Sequence, residues 1–173
     1  MTNVKDNFLC FRYDSTPFEH RDESAMPKIA DVMTNDHKRC DEIFAQAEEA
    51  VANAVSDADW EKAGTLYKEF EDEVEHHFIM EETVLFPAYT VKTNLSSVTD
   101  ALMQDHMQLR IIIFEAGESI KSKDQEQFLG QSETLLMMLQ QHNKKEERKL
   151  YTMADSAFRT EADELLTKMG MAG

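Results

Sequence analysis

Residues 56–87 read SDADWEKAGTLYKEFEDEVEHHFIMEETVLFP. Within them Ala63, Tyr67, Phe70, Val74, His77, Glu81 and Val84 recur at alternating steps of four and three, which puts them on one stripe of an α-helix. Two members of that stripe, His77 and Glu81, stand where the period calls for apolar residues. Ser56 and Asp59 have the spacing of a capping box, and Pro87 predicts the end of the helix.

The same period extends outward in both directions. A first segment, about Pro27 to Val55, carries Met33, His37, Cys40, Phe44, Ala47 and Val51. After a linker over 88–96, Ser97 and Asp100 cap a third, with Leu102, His106, Leu109, Ile113, Ala116 and Ile120. A fourth starts at Ser122, has Gln125 three residues on, and carries Phe128, Ser132, Leu135, Leu139, His142, Glu146 and Leu150. The pattern predicts an all-α fold: an antiparallel up-down four-helix bundle over residues 27–153, inside a single domain spanning 1–173. A short fifth helix is expected over 155–169, turning Phe158, Ala162, Leu165 and Leu166 inward. Residues 1–24 show no period, and their aromatics Phe8, Phe11, Tyr13 and Phe18 predict an irregular strap across the bundle.

Composition agrees. Five Gly and three Pro in 173 residues argue against a turn-rich sheet fold. A formal charge of -16 would repel nucleic acid and anionic membrane surfaces. The longest apolar run, Leu109 to Phe114, is interrupted by Arg110 and is far shorter than the ~20 residues of a membrane helix. Without a secretory h-region at the N-terminus, a cytoplasmic location is the expectation. Cys10 and Cys40 form no CxxC pair, so they read as structural thiols.

All four stripes contain a histidine, and two place a glutamate one turn beyond it, His77/Glu81 and His142/Glu146. Depth along the axis tests whether these residues can meet. From His37 to Val55 is 18 residues and from Asp57 to His77 is 20, each about 30 Å at 1.5 Å per residue. His106 to Lys121 and Asp124 to His142 match in the same way, so in an antiparallel bundle the six side chains fall in one layer. A buried histidine alone is usually a packing residue, but two buried glutamates need a cation, and no Lys or Arg lies on the stripes. A pair of metal ions fits four imidazoles and two carboxylates. Glu82 and Glu147 are turned about 100° off the stripe and read as solvated or as partners of the ligands. His76 is off the stripe too; Glu73 and His76 have Glu-x-x-His spacing by coincidence, and His20 falls in the strap.

The order His, His-x-x-x-Glu, His, His-x-x-x-Glu, with Glu81-Glu82 followed by Leu85-Phe86-Pro87 and Glu146-Glu147 followed by Leu150-Tyr151, resembles the hemerythrin-like (HHE cation-binding) family over about residues 27–153. The resemblance implies a non-haem di-iron centre, two Fe ions with an oxo or hydroxo bridge, in which Glu81 and Glu146 bridge and His37, His77, His106 and His142 are terminal ligands. Oxygen-carrying relatives have a fifth histidine one turn from the third-helix ligand, where this chain has Leu102 and Arg110. Four imidazoles and two bridging carboxylates fill eight of twelve positions around two six-coordinate irons, which leaves room for exogenous ligands.

The leading functional expectation is therefore a protein that binds or senses dioxygen or nitric oxide, with azide as a ligand of the oxidised centre. An alternative is a di-iron oxidoreductase or iron donor acting on nitric oxide, peroxide or damaged iron–sulfur centres. Repair members of the family often carry an added cysteine-bearing N-terminal domain, for which some 24 residues with the single Cys10 are too short. A third reading is a metal-free helical bundle whose buried polar residues specify its packing. No nucleic-acid or membrane partner is expected, and the sequence carries no signal for an oligomeric state.

Overall fold

The structure is a computed structural model and describes residues 28–171; the expected strap over 1–24, His20 and Cys10 lie outside the described residues. The elements are α1 (Ile29–Ala52), α2 (Asp57–Met80), a π-turn π1 (Glu81–Leu85), α3 (Phe86–Thr93), α4 (Ser97–Lys121), α5 (Gln125–Lys145), a second π-turn π2 (Glu146–Leu150), α6 (Tyr151–Ala157) and α7 (Ala162–Lys168). No strand occurs among the described residues. The all-α bundle with a short C-terminal helix is as the period predicts.

Helix α1 packs most extensively on α2 and α4 on α5, while α2 against α4 and α1 against α5 close the square. The capping box ahead of α2 is formed: Ser56 Oγ accepts from the Asp59 amide, and Asp59 accepts from the Ser56 amide at 2.9 Å. The inward stripes are buried as expected and segregate into two apolar clusters. One, around Phe44, Tyr67, Phe70, Phe128 and Leu135, fills the end near the α1–α2 and α4–α5 turns. The other, around Ile29, Met33, Leu85, Tyr89, Leu102 and Tyr151, fills the opposite end, where α6 and α7 pack. Each fully buried Phe or Leu contributes about 1.5–3 kcal/mol. Between the two clusters lies the polar layer of His37, His77, Glu81, His106, His142 and Glu146, all buried.

Several boundaries differ from the sequence expectation. Pro87 does not stop the second helix; the rod runs from Asp57 through π1 and α3 to Thr93, so most of the expected 88–96 linker is helical. In π1 the Phe86 amide reaches back to Glu81 O rather than one residue less, and the widened turn accommodates a proline that an α-helix interior would not. The extra residue also slips the stripe by one, so Leu85 is fully buried and Val84 only half-buried. Helix α4 is capped at Ser96, without a side-chain cap bond, rather than at Ser97 and Asp100. Helix α5 is capped by Asp124, whose carboxylate accepts from the Gln127 amide, rather than by Ser122. The expected 155–169 helix is divided: the α5 rod passes through π2 to Ala157, and α7 begins afresh at Ala162 after a turn over 158–161.

Candidate metal centre

The two π-turns begin at the two inward glutamates, Glu81 and Glu146. One turn before each, His77 and His142 point into the same layer, and His37 and His106 enter from α1 and α4. His37 Nε2 lies 3.1 Å from His77 Nε2, and His106 Nε2 lies 3.1 Å from His142 Nε2. Each carboxylate reaches from one imidazole pair to the other. Glu81 Oε2 is 3.5 Å from His77 Nε2 and 3.3 Å from His106 Nε2. Glu146 Oε2 is 3.2 Å from both His37 Nε2 and His142 Nε2. All six residues foreseen from the sequence thus converge.

The outward Nδ1 atoms are held by a second ring of carboxylates. His37 Nδ1 donates to Glu147 Oε1 at 3.0 Å, His77 Nδ1 to Asp36 Oδ2 at 2.8 Å, and His106 Nδ1 to Glu82 Oε1 at 2.8 Å. His142 Nδ1 faces Asp105 Oδ2 at 3.6 Å, beyond hydrogen-bond distance, because Lys145 Nζ holds that carboxylate at 2.6 Å. An Nδ1–H held outward leaves the Nε2 lone pair directed inward, which is the tautomer a metal ligand requires. Asp36 and Asp105 have no place on the apolar stripes, but each precedes a ligand histidine, and the repeated Asp-His dipeptide was the signal for them.

Arg110, one turn beyond His106, serves this outer ring. Its guanidinium pairs with Glu75 and with Glu82 Oε1 at 2.7 Å from each, so it steadies the carboxylate that orients His106. It also lies over Phe78, whose ring stacks on His106 with centroids 4.0 Å apart. His76 is exposed, and Glu73 pairs with Arg39, so that Glu-x-x-His match takes no part in the layer.

Without a cation the layer is electrostatically frustrated. Burial and the nearby Glu146 push the Glu81 carboxyl above its usual range. Glu146, despite equal burial, is held well below it by His142, by the nearby His106 and by His37, whose Nε2 lies 3.2 Å from its carboxylate. Burial lowers His37 and His106, yet Glu146 with Glu147 in one case and Glu81 in the other carry each up to about 9. Burial takes His142 down to about 4. Glu81 Oε2, Glu146 Oε1 and His142 Nδ1 are buried without a hydrogen-bond partner. Orphaned carboxylate oxygens at zero exposure are what a bound cation would satisfy. Two groups of donors meet metal-site spacing: Glu81, His106, His142 and Glu146; and His37, His77 and Glu146.

Fold and site together define a helical-bundle protein with a buried four-histidine, two-glutamate layer suited to binding metal. The family model of the hemerythrin HHE cation binding domain matches residues 28–154, and the chain belongs to that family. No curated protein and no solved structure matches it. Among the described residues no helix is long and apolar enough to cross a membrane.

Proposed function

We propose that the chain holds two iron ions in this layer and binds or senses a small exogenous ligand there, dioxygen or nitric oxide. In this reading His37 and His77 serve one ion, His106 and His142 the other, and Glu81 and Glu146 bridge them. The observation that carries it is the paired geometry: two Nε2–Nε2 separations of 3.1 Å, each carboxylate within 3.5 Å of a nitrogen from both pairs. Two bonds of about 2.1 Å meeting at roughly a right angle end about 3.0 Å apart, so each imidazole pair suits adjacent positions of a six-coordinate ion.

A di-iron centre supplies open coordination positions and electron exchange with a bound small molecule. The chain supplies the rest. Asp36, Glu82 and Glu147 fix three imidazole tautomers, and the two apolar clusters exclude water above and below the layer. Metal analysis followed by anaerobic titration of the reduced protein with dioxygen and with nitric oxide, then reversal under vacuum, tests the reading. Two irons per chain and a reversible spectral change are expected. A chain that saturates with one tightly bound zinc and takes up no iron, or a di-iron form indifferent to dioxygen, nitric oxide and azide, overturns it.

A further inference from the structure

The chain from α1 to α3 and the chain from α4 to α6 repeat one layout. His37, His77, Glu81 and Glu82 correspond to His106, His142, Glu146 and Glu147, and each inward glutamate opens a π-turn. Five residues beyond the glutamate, just past the π-turn, stands Phe86 in the first half and Tyr151 in the second. The two rings take matching places. Phe86 lies against His106 and Tyr151 against His37, each with centroids 5.6 Å apart. One break in the symmetry among the donor atoms is a phenolic oxygen.

That oxygen is fully buried among the donor atoms. Tyr151 Oη lies 2.8 Å from Glu81 Oε1, 3.2 Å from Glu146 Oε2 and 3.1 Å from His37 Nε2. These are the separations found between the imidazole nitrogens themselves, and they fit a further ligand of the same ion. We propose that Tyr151 is a seventh protein donor, its oxygen coordinating the ion served by His37 and His77, so that the exogenous ligand binds the ion served by His106 and His142. On coordination the phenolic O–H bond breaks, an O–Fe bond forms, and the proton leaves to solvent; no electron is transferred.

Ligand counting gives the second half of the proposal. With both carboxylates bridging and one solvent-derived bridge, the His37/His77 ion has six ligands and the His106/His142 ion five. Phe86 offers no donor to the second ion, so its sixth position stays open.

The proposal rests on the di-iron reading, and the experiment separates the two. Wild type and Tyr151→Phe are loaded with iron, oxidised, assayed for metal, and examined by visible absorption, resonance Raman and azide titration. Two irons in both proteins, a visible tyrosinate-to-ferric band with enhanced phenolate ring modes in wild type only, and one azide per wild-type centre against two in the variant are expected. Two irons in wild type without those ring modes, or the same band in Tyr151→Phe, overturns the role of Tyr151 and leaves the di-iron reading standing. Failure to take up two irons overturns the di-iron reading itself. Should the variant not fold, ring-deuterated tyrosine in wild type decides: the enhanced modes shift if tyrosine is the ligand and stay if it is not.

Discussion

Glu81 and Glu146 occupy equivalent places in the sequence, yet replacing each by leucine should have opposite effects on the metal-free protein. Glu146 is the ionised member, and its Oε2 lies 3.2 Å from both His37 and His142. Glu146→Leu strands buried imidazolium charge, at a cost of about 3–5 kcal/mol. At roughly 2–4 °C per kcal/mol for a chain of this size, the midpoint of thermal unfolding should fall by about 10 °C. Glu81 is the member pushed toward its neutral form by burial and by Glu146. Glu81→Leu forfeits the 2.8 Å hydrogen bond from Tyr151, about 1 kcal/mol, and removes a poorly solvated carboxyl whose burial costs about 1–3 kcal/mol. That variant should be as stable as wild type or up to about 2 kcal/mol more stable. With ferrous iron under anaerobic conditions both variants should lose the metal-linked stabilisation, about 2.7 kcal/mol at a hundredfold excess over Kd. Urea unfolding of the three proteins, each in chelator and in iron, measures every term. Equal stability of the two variants in chelator, to within about 0.5 kcal/mol, would refute the inequivalence of the carboxylates. Retention of two irons by Glu81→Leu would refute the bridge.

Three further outcomes are expected. Glu82→Ala removes the acceptor of His106 Nδ1 and one partner of Arg110, so metal affinity should fall about 10- to 100-fold with no change in stoichiometry, as read by competition with a chelating dye. His37 and His106, ordinarily near 6.5, sit at about 9 in the fold, so their contribution to metal-free stability is complete below the unfolded value and lost as pH rises through the folded one. The urea midpoint in chelator should therefore decline between pH 6.5 and 9 while metal affinity rises over the same window, and a flat midpoint would contradict the assignment. Cys40, buried with its thiol pushed up to about 12, should resist iodoacetamide in native protein and react on unfolding; rapid native labelling would mean that α1 opens there.

The bundle and the six histidines and glutamates of its polar layer were legible in the sequence because helical periodicity is a local property. A residue's phase on its own helix follows from spacing, and its height in an antiparallel bundle follows from its distance to the nearest turn. His37, His77, Glu81, His106, His142 and Glu146 could be placed in one layer on those grounds alone, and they share it. The proline at 87 was legible as a helix stop and is not one, because π1 alters the ladder just before it, and a single π-turn leaves no periodic trace.

What lies one shell out was decided only by the tertiary structure. Whether Glu147 meets His37, Asp36 meets His77 or Glu82 meets both His106 and Arg110 depends on how far each helix is rotated and raised against its neighbour. Those are sums over every packed side chain in the two apolar clusters rather than properties of any short segment. The two His-x-x-x-Glu motifs share one pattern and one spacing. Folded, one carboxylate sits where His37 and His142 favour its charge, the other where burial and its twin oppose it, and a phenol stands on one side only. Charge and asymmetry in a buried layer are set by distances between atoms on different helices, which the order of residues along one helix does not contain.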